Sequence, residues 1–568
     1  MKKRTTRLVA LLLVFILAFG AVGCGNKDKK TDATPTPDAT ATEAPDGDAT
    51  DAPDDGDQQA GTEPGWKQHA DDKVKLTWYI NFSWFTGGVP WGENLVSKTI
   101  TEETGIDIEF VVPAGNEADK LNSLIAGDSL PDLITLGWWE PQIREMIDAG
   151  MVLALDELAN ENDPYFFEVA DKNRVAYYTE EDGHIYQYPN SSYSPADYEK
   201  YDNIASNITF VVRKDLYEGI GSPDMTTTEG FIAAVKAAVE KYPEINGQPI
   251  IPIGFHEFTT AGCESLDKQL QQFLAIPYET EDGKAYDKFT DPEYVRWLKA
   301  FRQLGADGLL VDDVFIDKRA QMEEKIAQGR YFCMMYQRTD FADQQKQLFA
   351  NDPNSIYMAI DGPKNSNGSD YKLEGGGIAG WTTTLISSKC ARPDRAIQLI
   401  SYLISEQGQL MTWLGVEGTM WDYDANGVPK RKQEMIDLCN SDRAAYDKQY
   451  GAESCYWMFQ DNAMAGQWAE PLQAPLGQLE EWTYPYANYV GQYAITFAAD
   501  SPEAIADQKI KQEWSTTLPK LLLASSDEEF DKIFDEYLKK RDSYGFDIVQ
   551  EATTNQIAAN KAKLGMEN

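Results

Sequence analysis

Between residues 74 and 137 the hydrophobic period switches back and forth four times, and few folds accommodate that. VKLTWYIN (74–81) alternates, with Val74, Leu76, Trp78 and Ile80 on one face, and predicts a strand. ENLVSKTITEETG then places Leu95, Val96, Thr99 and Ile100 at helical spacing, closed by Gly105 as a C-cap. IDIEFVV alternates again from Ile106. NEADKLNSLIAG restores the helical period with Ala118, Leu121 and Ile125 between Asn116 and Gly127, and DLITL, after Pro131, predicts a third strand. Strand, helix, strand, helix, strand at this spacing requires crossover connections, so the expected class is α/β with mixed, largely parallel sheets flanked by helices.

Further helices follow. TTTEGFIAAVKAAVEKYP carries Phe231, Val235 and Val239 on one stripe and ends at Pro243; RPDRAIQLISYLISEQG carries Ile397, Ile400 and Ile404. The region from about residue 70 to 568 is too long for one hydrophobic core and suits two lobes.

The first 69 residues read differently. Lys2, Lys3, Arg4 and Arg7 precede an apolar run from Leu8 to Phe19. At about a dozen residues that run is short of the roughly 20 a membrane span needs, but it suits a signal-peptide core. Ala21-Val22-Gly23 supplies small residues for cleavage ahead of Cys24. Residues 26–66 are rich in Thr, Pro, Ala and Asp with almost no apolar side chains, a composition that predicts a disordered, stiffened tether. The expected division is a signal peptide over 1–23, Cys24 and its tether over 24–69, lobe I over 70–205 plus about 340–405, and lobe II over 206–339 plus about 406–568.

Composition excludes some functions. A net charge of −41 is incompatible with the basic face that phosphate neutralisation needs, so no nucleic-acid partner is expected. The five cysteines after Cys24 form no CxxC, and pairing of Cys439 with Cys455 is left open. Three histidines without HExxH offer little to a zinc enzyme. DYDANG (422–427) opens like an EF-hand loop, but Lys430 and Gln433 occupy its ninth and twelfth positions, so a hairpin turn is the expectation and no metal or cofactor is assigned. TEEDG and TEDGK are read in the same way.

Several motifs, in order, resemble those of extracellular solute-binding proteins of ABC importers, in the sugar-binding class. They are LNSLIAGDSLPDLITL, LALDELAN (153–160), DGHIYQYPN (182–190), FVVRKDLYEGIG with TTTEGFIAAVKA, EDGKAYDKFTDPEYVRWLKAFRQLGADGLL, and LGVEGTMWDYDANG. The likeness runs with gaps from about residue 74 to 427, and the Leu-Gly-Val-Glu-Gly form is most similar to lipoproteins of the oligosaccharide-binding branch. The region around Cys24 resembles a lipobox, with Ala21 where leucine is more usual, which implies a lipid anchor on the outer face of a bacterial cell membrane. The resemblance further implies two α/β lobes joined by two or three crossovers, with a ligand clamped between them and delivered to permease subunits by a monomeric receptor that is not an enzyme.

Sugars offer apolar C–H faces and a belt of hydroxyls, which calls for flat rings and polar side chains at the mouths of parallel strands. Trp84 and Phe85 follow the first strand, and Trp138, Trp139 and Glu140 follow the third. Tyr188 lies on the supposed crossover. Tyr336, Gln337 and Arg338 follow YFCMM, where the resemblance implies a ring facing the ligand. Trp381 ends the glycine-rich GGGIAGW, and Glu417 and Trp421 flank the GTM turn. These twelve residues are the candidate contacts; Trp78, Trp297 and Trp413 are expected in the core. An anchored glycoside hydrolase, or a carbohydrate sensor without an importer, remain the alternatives.

Overall fold

The computed structural model describes residues 63–566, apart from 86–88, 202 and 499. Cys24, the signal segment and the tether as far as residue 62 lie outside the described residues. The folded part begins earlier than expected: Gly65–Gln68 is a helical turn whose Trp66 is buried, its ring edge-on to Tyr402 at 5.0 Å.

Nine strands build the two main sheets: β1 (Val74–Ile80), β2 (Ile106–Val111), β3 (Leu133–Gly137), β4 (Gln187–Pro189), β5 (Ile208–Arg213), β6 (Ile251–Gly254), β7 (Tyr331–Gln337), β8 (Tyr357–Ala359) and β9 (Thr382–Ile386). The first sheet has the order β2-β1-β3-β9-β4 and the second β8-β5-β7-β6. β1 pairs in parallel with β2 and β3, as the strand–helix rhythm requires, while β9 runs antiparallel to both β3 and β4. In the second sheet only β6 and β7 are parallel; β5 is antiparallel to β7 and β8. The reversed strands are β9 and β5, each reached from the other lobe, so no crossover helix within their own sheet constrains their direction.

The predicted helices form where expected: Leu95–Thr104 is capped by the Asn94 side chain and ends on Gly105 at φ +74°, Glu117–Ala126 is capped by Asn116, and Thr228–Lys241 by Thr227. The period-two pattern of β1 is used on both faces. Leu76, Trp78 and Ile80 enter one core with Ile397, Ile400 and Tyr402, whereas Tyr79 enters a second with Leu121, Ile134 and Met146.

The core clusters redraw the lobe boundaries. Lobe I takes Trp66 to Tyr188 and then Ile386 to Trp468; lobe II takes Ile208 to Leu373 and then Leu479 to Tyr537. Residues 340–373, expected in lobe I, carry Phe341, Leu348, Tyr357 and Tyr371 into the lobe II core, because β8 pairs with β5. Conversely 406–468, expected in lobe II, packs Met411, Trp457 and Trp468 into lobe I. The chain therefore crosses three times: near 190–206, 374–381 and 469–478. The helices Pro502–Leu522, Asp527–Ser543 and Phe546–Lys563 cover lobe II, tied by Trp514 to Asp267 at 2.5 Å, Arg541 to Asp287 at 2.8 Å and Lys561 to Glu279 at 2.8 Å. The last helix also reaches lobe I, where Lys563 Nζ donates to the carbonyls of Tyr177 and Thr179 at 2.9 and 3.1 Å.

Candidate functional site

β1 and β3 deliver their carboxyl ends, and β9 its amino end, to one edge of lobe I. There the backbone N–H of Trp138 lies 3.5 Å from the Trp381 carbonyl, and Asn81 N donates to Thr135 O at 2.9 Å, so the three strand ends are stitched together. Four rings gather on this edge. Trp84 and Trp381 stack at 9° with centroids 5.9 Å apart, Trp457 lies 4.6 Å from Trp381 and 5.7 Å from Trp84, and Phe82 contacts all three at 5.6–5.8 Å. Each such contact is worth about 0.5–1.5 kcal/mol beyond simple burial, so the cluster is a stiff platform. Trp84 is 53% exposed, so about half of its side chain meets solvent. Phe85 is buried and backs the cluster edge-on to Trp84 and Trp457.

Polar groups flank the rings. Asn81 is buried; its Oδ1 accepts from the Tyr79 hydroxyl at 2.7 Å and its Nδ2 donates to Glu140 Oε2 at 2.6 Å, while Glu140 Oε1 accepts from Gly137 N at 2.9 Å. Burial pushes the Glu140 carboxyl up to about 7, with the neighbouring Glu117 charge adding to the shift and the two hydrogen bonds opposing it. Trp139 is 48% exposed and lies over Gly137, where an added Cβ would sit 2.6 Å from its ring. Glycine is what lets this indole lie flat on the strand end.

Asn190, two residues past Tyr188, joins two of the crossings and the loop before the third. Its side chain accepts from Thr382 N at 2.8 Å and donates to the Trp457 carbonyl at 2.9 Å; its backbone bonds Thr382 O and Trp381 N. Gly380, at φ +70°, would place a Cβ 2.0 Å from the Asn190 carbonyl oxygen, so only glycine passes here. Alongside, Arg174 donates to Asp461 at 2.6 Å and to Ser192 O at 3.0 Å, and Ser192 Oγ to Ile378 O at 2.6 Å.

The carboxyl ends of β6 and β7 form the corresponding edge of lobe II. Gln337 Nε2 donates to Glu264 at 2.9 Å on the exposed rim. Tyr336 is buried with its ring stacked on His256 at 4.2 Å, and His256 Nδ1 lies 2.9 Å from Ser265 Oγ. Arg338 donates to Ser206 O at 2.9 Å and Glu480 at 2.8 Å, strapping the entry of β5 to the third crossing.

The structure therefore gathers Trp84, Phe85, Trp138, Trp139, Glu140 and Trp381 on one edge and sets Gln337 on the rim of the other. Five candidates need correction. Tyr188 is 2% exposed: strand alternation turns its ring onto Phe166 and its hydroxyl accepts from Asp171 N at 3.0 Å. Trp421 is 3% exposed, its indole N–H donating to Gly415 O at 2.8 Å, and Glu417 is held beside it on the surface of lobe I. Tyr336 is enclosed, and the Arg338 guanidinium is taken up as a strut. DYDANG forms the expected hairpin, with Asp424 Oδ1 accepting from Asn426 N and Val428 N at 2.8 and 2.9 Å. Cys439 and Cys455 are free thiols. Sequence reasoning missed Asn81, Phe82, Asn190 and Trp457. Phe82 was readable beside Trp84; Trp457 reaches the platform only through the tertiary fold.

A family model for bacterial extracellular solute-binding proteins matches residues 96–419. The chain belongs to that family. Among its relatives, lipoprotein LipO of Bacillus subtilis strain 168 is 23% identical over 339 residues, covering 57% of this chain and 63% of LipO. FusA of Streptococcus pneumoniae strain TIGR4, named as a fructooligosaccharide ABC transporter substrate-binding protein, is 24% identical over 237 residues, covering 39% of this chain and 42% of FusA. The chain thus spans less than two thirds of the length of either curated relative. The crystal structure of S. pneumoniae FusA with kestose superposes with a TM-score of 0.65 at 17% identity, over 86% of this chain and 100% of that one. An HMO-binding, ABC-transporter-associated solute-binding protein of Bifidobacterium longum infantis superposes at 0.62 with 15% identity, over 87% and 100%. These likenesses show a two-lobed solute-binding fold. Among the described residues no helix is long and apolar enough to cross a membrane.

Proposed function

We propose that this member of the solute-binding family is a lipid-anchored, monomeric receptor that captures an oligosaccharide by lobe closure and hands it to the permease of an ABC importer. The observation that carries the reading is the half-exposed Trp84, stacked on Trp381 and backed by Trp457, beside the Asn81–Glu140 hydrogen-bonding pair. A pyranose or furanose ring can lay its C–H face on the exposed part of the Trp84 indole while its hydroxyls bond the Glu140 carboxylate, which buried Asn81 orients. Trp138 and Trp139 extend the aromatic surface toward a second ring, and Gln337 closes from the opposite rim. The names of LipO and FusA support the anchor and the oligosaccharide. Closure about the three crossings requires that the ligand bind the closed form better than the open one.

Titration of the protein with panels of oligosaccharides, amino acids and peptides tests this. One or a few oligosaccharides should release heat, quench indole fluorescence and shrink the radius of gyration. Absence of heat with every sugar overturns the reading, and hydrolysis of a bound glycoside would favour an enzyme. In cells, Cys24→Ser should release the protein from the membrane, and loss of the permease should abolish uptake but not binding.

A further inference from the structure

The charged groups around the cleft divide unevenly. On lobe I, the segments that form the edge (81–85, 137–141, 190–194, Trp381 and 457–461) contain no lysine or arginine. The same edge carries Glu140, whose oxygens meet only the neutral donors Asn81 Nδ2 and Gly137 N, and Glu117, which accepts from Ser83 N at 2.5 Å. Arg174, the nearest guanidinium beneath, is committed to Asp461 at 2.6 Å.

The bases of lobe II are similarly occupied. Arg338 is bound to Glu480 at 2.8 Å, and Arg319 to Glu323 at 2.8 Å and Asp340 at 3.3 Å. Lys318 donates to Phe258 O at 3.1 Å with Glu257 3.9 Å away, and the Glu264 carboxylate accepts from the Gln337 amide. Among these groups carboxylates outnumber cations, and each of the four cations already faces one. An acidic glycan entering here meets like charge without an available guanidinium, in a place where closure removes the water that would screen it.

We infer that the ligand is an oligosaccharide free of carboxylate, sulfate and phosphate groups, and that this cleft rejects acidic glycans by charge. The inference rests on the carbohydrate reading above and adds the chemical class of sugar. At pH 8, where Glu140 is ionised, neutral hydroxyls satisfy it as acceptor, whereas a uronate presents it with a second acceptor and no proton to share.

The test is calorimetric titration at pH 8 and low salt with kestose, maltotriose, cellotriose and mannotriose, against trigalacturonate and the best neutral ligand oxidised at C6 to its uronic form. The neutral ligand should bind, and its oxidised form at least about 100-fold more weakly, with the gap narrowing in high salt or in Glu140→Gln. An oligouronate that binds as tightly as any neutral sugar overturns the inference while leaving carbohydrate binding standing, as does a gap unaffected by both salt and Glu140→Gln. Failure of every neutral and acidic sugar to bind overturns the carbohydrate reading, and this inference with it.

Discussion

The two edges of the cleft are built on opposite plans. Lobe I leaves surface unspent: Trp84 and Trp139 stand about half exposed, and Glu140 is held by neutral donors alone. Lobe II engages its charged groups internally, pairing Arg338 with Glu480 and Arg319 with Asp340, while His256 sets Nδ1 beside Ser265 and stacks on Tyr336. On the proposed reading, lobe I carries the recognition surface and lobe II is a preformed lid that adds rim contacts when it closes. A side chain already satisfied by its own protein contributes little new energy to a ligand, while an exposed, rigid ring contributes most of what it buries.

That contrast can be broken by substitution. The largest effect is expected at Arg338: Arg338→Ala leaves Glu480 and the Ser206 carbonyl without their partner and should cost about 3 kcal/mol of stability in denaturant unfolding, with affinity changed only as far as lobe II itself loosens. Trp84→Ala should weaken sugar binding about 30- to 100-fold by calorimetry, with a smaller stability loss of about 1–2 kcal/mol from the ring contacts given up to Phe82, Phe85, Trp381 and Trp457. Equal affinity losses in the two variants would erase the distinction between the edges. Asn190→Ala orphans the Thr382 N–H and the Trp457 carbonyl and should cost about 2 kcal/mol, with a shifted indole emission spectrum because both ring-bearing backbones move. Gln337→Ala should lower affinity only about threefold, as suits a rim contact.

A pH dependence sharpens the account of lobe I. A carboxyl raised in the folded state binds its proton more tightly there than in the unfolded chain. Its contribution is therefore fully present below the ordinary glutamate range and is lost as pH rises through about 7. Thermal unfolding from pH 4.5 to 8 should show the parent losing stability relative to Glu140→Gln, with no further divergence above pH 8.

How much of this was legible beforehand depends on the range of the interaction. β1, its neighbouring helices and their caps follow from local period and turn chemistry, and so does the placing of Trp84 and Trp138–Glu140 at strand mouths. Tyr188 and Asn190 show where the reading fails. Both lie at the crossover, but alternation sends the tyrosine into the core of lobe I and gives the hinge to a residue that looked like a turn. The lobe boundaries failed for a related reason: β8 belongs with lobe II because it pairs with β5, a choice made between distant segments that no local pattern records. Trp457 joins Trp84 and Trp381 by the same kind of distant choice.

The three crossings also govern how such a chain can be made. Lobe II receives β5 to β8 early, yet Trp514, Phe534 and Tyr537, which close its flank around Phe289, leave the ribosome late. Lobe I is likewise unfinished until residues past Phe459 have been synthesised. Neither half is a contiguous stretch of polypeptide, so a nascent chain has no complete unit to set aside while the rest arrives. Synthesis halted before Pro502 leaves an apolar flank of lobe II uncovered, and the product is a substrate for proteases rather than a smaller receptor.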